Sequence, residues 1–209
     1  NGRLDLALKL VDAAVDARAD AVKFQAFKAE NLVSPKALLV RYQRQAEAKS
    51  LRTQLDLIKQ LELEFVQLQR IKDYCAQRKI MFLSTPFDME TVDSLIKLKI
   101  PAFKISSGDV TNLPFLRYIA SKKKNIILST GMANIAEIEE AVNTIFQTGN
   151  QRLTLLHCVT EYPAPYGEVN LKAMLTLAST FKLPVGYSDH TLGIEVALAA
   201  VALGARVIE

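Results

Sequence analysis

Two lysines lie inside short apolar runs of this sequence. Lys23 sits in Ala21-Val22-Lys23-Phe24-Gln25-Ala26-Phe27, and Lys104 in the stretch from Ala102 to Ser106. Burying an ammonium is costly unless an anion meets it. One such lysine could pair with a core carboxylate; two, beside a rim of hydroxyls, suggest a shared anionic ligand. The hydroxyls are Ser84-Thr85, Ser106-Ser107, Ser129-Thr130 and Ser188, each closing an apolar run. Serines and threonines in such places often only cap helices, but their clustering favours a pocket. Lysines as point charges and hydroxyls as donors suit a phosphate or a carboxylate. Gln25 shares the face of Lys23 at a spacing of two.

Further polar groups follow the same kind of run. Asp109 ends Lys104-Ile105-Ser106-Ser107-Gly108-Asp109, and Thr160-Glu161-Tyr162 follows Leu153 to Val159. His190, after Ser188-Asp189, is a candidate metal ligand, although spacing assigns it no second ligand. His157 lies deeper in its run and reads as a core histidine. Cys158 has no activating partner in sequence and reads as packing rather than nucleophile. Tyr162 can either pack its loop or meet a substrate.

The elements that position these residues alternate. Leu4, Leu8, Val11 and Val15 recur at helical spacing. Strands are expected at Ala21 to Phe27, Met81 to Pro86, Ala102 to Ser106, Asn125 to Thr130, Leu153 to Val159 and Val185 to Ser188, with another starting at Arg206. Between them a polar stretch with Pro35 precedes helical patterning from about Thr53 to Arg78. Further helices are expected at Met89 to Leu98, Pro114 to Ser121, after Asn134, after Asn170 and at Glu195 to Leu203. Asp88, Asn134 and Asn170 are the expected caps, and Gly149 and Gly204 the stops. Strands apolar on both faces, such as Ile126-Ile127-Leu128, belong to a parallel sheet covered by helices. A doubly wound sheet and a (β/α)8 barrel both fit. No glycine-rich dinucleotide fingerprint follows any strand, and polar groups at strand C-termini are where a barrel builds its site. The expected fold is α/β, a (β/α)8 TIM barrel truncated at both ends, with strand one absent and strand eight incomplete.

Composition narrows the classes. Of 209 residues, 50% are hydrophobic and 23% charged, which excludes disorder and a disulfide scaffold. The net charge of +4 is spread, and its densest run, Lys122-Lys123-Lys124, reads as a solvated helix end, so no nucleic acid is expected. Two distant cysteines suit a reduced, cytoplasmic protein. The apolar stretch from Leu192 to Ile208 carries Glu195, Arg206 and two glycines, so no membrane span is expected.

In order and spacing, six motifs resemble the sialic acid synthase family. They are Lys23-Phe24-Gln25, Ser84-Thr85-Pro86-Phe87-Asp88, Lys104-Ile105-Ser106-Ser107-Gly108-Asp109, Leu128-Ser129-Thr130-Gly131-Met132, His157-Cys158-Val159-Thr160-Glu161-Tyr162-Pro163 and Gly186-Tyr187-Ser188-Asp189-His190-Thr191. Asn1-Gly2 looks like the tail of a family segment, and Ala205 to Glu209 like the start of its last strand. Residues 1–209 would then be a partial catalytic barrel, without the family's C-terminal antifreeze-like domain.

The resemblance implies condensation of phosphoenolpyruvate with an N-acetylated hexose, usually N-acetylmannosamine, giving N-acetylneuraminate and phosphate. It implies a divalent cation, manganese or magnesium, on His190 and a second histidine expected just after Glu209. Phosphoenolpyruvate contacts map onto Lys23, Thr85, Lys104, Ser107, Ser129 and Ser188. Sugar contacts map onto Gln25, Tyr162 and Asp109, with Thr160 where some members carry Asn. Some members also have Glu in place of Asp109, which keeps legionaminic and pseudaminic acid synthases open as alternatives. The full-length family protein is a homodimer. A Schiff-base aldolase is the rival enzyme class, since barrel aldolases also carry strand lysines; an inactive fragment or binding module is the non-enzymatic rival.

Overall fold

The computed structural model describes residues 2–39 and 53–209. The polar stretch expected after Pro35 runs partly outside the described residues. Contacts divide the chain into two compact units, Asn1–Pro101 and Ala102–Glu209.

In the first unit, α1 (Leu4–Asp16) buries Ala7 and Val11. Strand β1 (Ala21–Ala26) pairs in parallel with β2 (Met81–Pro86), placing Gln25 opposite Thr85 and Lys23 opposite Leu83. A short α2 (Ala29–Leu32) follows β1. The helical patterning expected from Thr53 to Arg78 resolves into two helices, α3 (Gln54–Leu61) and α4 (Phe65–Gln77). The break is local chemistry. Glu62 turns to extended backbone, ψ 137°, and its carboxylate accepts from Lys28 Nζ and from the backbone N–H of Ala29, both at 3.0 Å. Glu64 then restarts the helix in a reciprocal box with Gln67. Helix α4 meets α1 through Asp12, which accepts from Tyr74 Oη at 2.8 Å and pairs with Arg78 at 2.9 Å. Asp88 caps α5 (Met89–Lys97) as expected, accepting from the Thr91 N–H at 2.7 Å.

In the second unit, β3 (Ala102–Ile105), β4 (Asn125–Ser129), β5 (Leu153–Cys158) and β6 (Val185–Ser188) lie side by side, all parallel. The crossovers contain α6 (Leu113–Ser121), α7 (Ile135–Gln147) and α8 (Lys172–Phe181), and α9 (Glu195–Ala202) follows β6. Pro114 lies in the first turn of α6, where its missing N–H costs nothing. Leu116, Ile119, Leu128, Ile145 and Leu155 are fully buried between strands and helices. Each contributes about 1.5–3 kcal/mol by leaving water. Asn134 and Glu137 form the expected capping box of α7.

Asn170, however, does not cap α8. It takes a left-handed φ of 43° and supplies only its carbonyl, to the Ala173 N–H, so the helix begins without a side-chain cap. Lys122-Lys123-Lys124 closes α6 as expected, with Lys122 over the Tyr118 ring. The strand expected at Arg206 also begins: Ile208 bridges Tyr187 in parallel, and N–H groups of Arg206 and Glu209 bond to β6. Gly186 makes that approach possible, since a Cβ there would lie 2.2 Å from the Val207 carbonyl oxygen. Among the described residues no helix is long and apolar enough to cross a membrane.

Candidate functional site

The first unit places three expected residues, Lys23, Gln25 and Thr85, on one face of the β1–β2 pair, because the register sets Gln25 against Thr85; Lys23 is exposed there, so it is not the buried ammonium its apolar run suggests. The Thr85 hydroxyl is buried without a hydrogen-bond partner. Such a group costs about 1–3 kcal/mol unless something bonds to it. Ser84 also has an orphaned hydroxyl but sits against Phe24 in register, on the opposite face. The segment after β1 is pinned by Asp88, which accepts from the Lys28 N–H at 3.0 Å, and by Glu62.

The second unit gathers the rest at the C-terminal ends of its strands. Lys104 is 5% exposed, and its ammonium donates to Ser129 Oγ at 2.8 Å and to the Ile105 carbonyl at 3.0 Å. A carboxylate balances it: Glu209 Oε2 lies 3.2 Å from Nζ. Ser129 and Ser188 are buried with it. Ser107 accepts from the Gly131 N–H at 2.9 Å, tying the turn after β3 to the turn after β4. Gly131 is required there, because a Cβ would stand 2.6 Å from the Thr160 methyl. Cys158 lies opposite Ser188 in register, and burial pushes its thiol up while Ser188 and Ser107 hold it down. It is a neutral thiol lining the floor, in keeping with its reading as packing.

Three contacts hold His190 and the loop after β5 together. His190 Nδ1 lies 2.5 Å from the Val159 carbonyl, the Ala164 N–H donates to the His190 carbonyl at 2.9 Å, and the Tyr166 hydroxyl reaches Leu192. A carbonyl only accepts, so Nδ1 carries the proton and Nε2 keeps its lone pair. That is the tautomer a metal-binding histidine needs. Tyr162, 75% exposed, stacks on the His190 ring with centroids 3.9 Å apart. The peptide bond between Tyr162 and Pro163 is cis. His157 donates from Nε2 to the Val169 carbonyl at 2.7 Å and is the core histidine the sequence suggests. Among the described residues no cluster of three His, Cys, Asp or Glu side chains could hold a metal alone. Asp109 is half-buried, and burial raises its carboxyl pKa against a smaller lowering by Asn112, whose Nδ2 donates at 3.1 Å.

Glu209 is the site residue that sequence reading missed. A signal was present: a buried lysine demands a carboxylate, and Glu209 ends the apolar run Val207-Ile208-Glu209.

A family model described as the NeuB family matches residues 10–209. Two curated relatives are N,N'-diacetyllegionaminic acid synthases. The chain is 54% identical to that of Campylobacter jejuni, and the match spans all of this chain and 63% of the relative. It is 47% identical to that of Legionella pneumophila, spanning all of this chain and 60% of the relative. The chain thus spans less than two thirds of the length of these relatives. Among solved structures, N-acetylneuraminic acid (sialic acid) synthetase from Leptospira borgpetersenii, in complex with citrate, superposes on all of this chain and 67% of its own. Its TM-score is 0.87 at 36% identity. The fold is therefore the expected α/β barrel type, and with nearly its whole length matched the chain belongs to the NeuB family.

Proposed function

We propose that the full-length protein is a nonulosonic acid synthase. It condenses phosphoenolpyruvate with an N-acetylated hexose and water, releasing phosphate. One observation carries this reading: a buried lysine, Lys104, held by a serine hydroxyl at the strand ends of a NeuB-family fold. Such a group is suited to phosphate or carboxylate, and Glu209 is the carboxylate that meets it in this structure. Lys23, Thr85, Ser107, Ser129 and Ser188 bind the same substrate, and Gln25, Asp109, Thr160 and Tyr162 meet the sugar.

The enol carbon attacks the sugar aldehyde, forming the new C–C bond. Water adds to the resulting cationic carbon, and the C–O bond to phosphate then breaks. Asp109, its carboxyl raised by burial, is suited to hold a proton for the aldehyde oxygen. His190 fits a divalent cation, manganese or magnesium, through its free Nε2. When bound, that cation polarises the aldehyde as a Lewis acid. The Schiff-base alternative is disfavoured by Glu209, because the ion pair holds Lys104 as an ammonium without a nucleophilic lone pair.

Similarity supports one sugar class over another. Identity to the two legionaminic relatives, 54% and 47%, exceeds the 36% to the sialic acid synthetase. Phosphoenolpyruvate contains no nitrogen, so both acetamido groups of a diacetyl product must arrive with the hexose. A hexose with two acetamido groups is therefore the preferred partner, ahead of N-acetylmannosamine. The test is phosphate release by the full-length protein from phosphoenolpyruvate with manganese and each sugar in turn. Release with the diacetamido hexose is expected, and chelation should stop it. No release with any sugar from folded, metal-replete protein would refute the synthase reading.

A further inference from the structure

Two neighbours hold the His190 ring, one in its plane and one across it. The Val159 carbonyl accepts from Nδ1 at 2.5 Å and fixes one edge. Tyr162 lies over the ring face, with centroids 3.9 Å apart and planes 31° from parallel. A hydrogen bond to one edge is a hinge, which leaves the imidazole free to tilt about the N–H···O line. A second ring on the face stops that tilt. Neither neighbour obstructs Nε2, whose lone pair lies in the ring plane on a different edge. The backbone is tied as well. The Ala164 N–H donates to the His190 carbonyl at 2.9 Å, and the Tyr166 hydroxyl donates to the Leu192 carbonyl at 2.5 Å. Asp189 Oδ1 accepts from the N–H and the hydroxyl of Thr191, at 2.9 and 2.7 Å, which closes the turn around His190. These ties set where the His190 side chain starts and leave its two side-chain torsions open.

The geometry points to Tyr162 as a positioning residue: its ring, not its hydroxyl, holds the His190 imidazole in the orientation that takes a divalent cation. This rests on the reading of His190 as a cation ligand. Two effects raise the affinity. A ring already oriented loses less freedom when the cation arrives. A cation on Nε2 also draws electron density from the imidazole, and an electron-poor ring stacks better on the electron-rich face of a phenol. The stack is therefore stronger with metal than without, and a contact that differs between two states shifts the equilibrium between them. Neither effect involves the Tyr162 hydroxyl, which is left to the sugar.

The test uses the full-length protein, stripped of metal and titrated with manganese(II) in the absence of substrate. The free aquo ion is followed by its electron paramagnetic resonance signal. Tyr162→Ala should weaken manganese binding about fivefold, equivalent to ~1 kcal/mol. Tyr162→Leu keeps apolar bulk in the loop without an aromatic ring and should weaken it as much. Tyr162→Phe keeps the ring and should stay within about twofold of the parent. Tyr166→Phe removes the hydroxyl bond to Leu192 but leaves the stack, and it should also stay within about twofold. Parent-like affinity in Tyr162→Ala or Tyr162→Leu overturns the proposal, as does a loss in either Phe variant as large as theirs. The metal-free protein supplies a second readout. The Cε1 proton of His190, identified by its disappearance in His190→Ala, lies in the ring current of Tyr162. Its resonance should move in Tyr162→Ala far more than in Tyr162→Phe, and equal shifts overturn the proposal. His190→Ala should lose manganese more severely than any Tyr162 variant. Parent affinity there would instead remove the reading of His190 as a ligand, and this inference with it.

Discussion

Replacing Gly131 by Ala tests whether the turn after β4 is set by a steric limit. The added Cβ would lie 2.6 Å from Thr160 Cγ2, 3.0 Å from the Cys158 carbonyl oxygen and 3.1 Å from Ser107 Oγ. Carbon pairs rest at about 3.5–4.0 Å, so roughly 1 Å must be found. The Cys158 carbonyl belongs to β5 and is fixed by the sheet, which leaves two ways to yield. Thr160 can turn off its rotamer, at about 0.5–1.5 kcal/mol. Alternatively the turn can shift and break the Gly131 N–H bond to Ser107, a net loss of about 0.5–1.5 kcal/mol. Gly131 does not have a left-handed φ, so backbone strain adds nothing. The stiffer unfolded chain returns about 0.4–1 kcal/mol.

The net destabilisation expected is therefore about 1 kcal/mol, or ~2–4 °C in a thermal melt for a protein of this size. The loss of turnover should be larger, on the order of 100-fold, because Ser107 and Thr160 both move and a 1 Å displacement can cost that much. Melting curves and phosphate release measure the two separately. Thr160→Ser removes the clashing methyl, so the Gly131→Ala, Thr160→Ser pair should recover at least half of the lost stability, a coupling seen in a double-mutant cycle. Gly108→Ala is the control, since its nearest neighbour is Ser106 Oγ at 3.9 Å. Wild-type behaviour of Gly131→Ala, or strict additivity in the cycle, would refute the steric argument.

Other outcomes follow from single contacts. Lys104→Met removes the ammonium but keeps the volume, and phosphoenolpyruvate binding should fall below detection by calorimetry. Its stability cost should be about 1–3 kcal/mol, below the 3–5 of a fully buried pair, because the stranded Glu209 is partly exposed and can hydrate. Asp109→Asn should stabilise the protein at neutral pH. Burial raises the folded carboxyl pKa, so the native state binds more protons and stability declines as pH rises through the raised value. The advantage of the Asn variant should accordingly grow as pH rises above the ordinary carboxylate range in parallel melts, and a constant difference would count against the upward direction. Asn134→Ala loses the α7 capping box and should cost about 1 kcal/mol, read in a denaturant titration, with little change in substrate affinity.

The strands were legible because their apolar runs are short, bounded and separated by helical periodicity. All six expected within the described residues are present at nearly the expected bounds. Caps were legible where side-chain chemistry is reciprocal, as at Asn134 with Glu137 three residues on. Asn170 misled because the same residue type that caps a helix also tolerates the left-handed region, and no acid follows at the third position to decide between the two. The break at Glu62 was hidden for a different reason. Helical periodicity continues through it, and what stops the helix is a long-range contact to Lys28 and Ala29, some thirty residues earlier.

The same distinction explains what was seen and missed in the site. Lys104, Ser129 and His190 stand out because each is a polar group in an apolar setting, a mismatch that sequence displays. Glu209 is as polar and as near the end of an apolar run, but one acid after a strand resembles an ordinary surface residue. Its meaning comes only from Lys104, more than a hundred positions away in sequence and 3.2 Å away in space. A buried cation is thus half of a statement whose other half must be sought among the acids at the ends of the remaining strands.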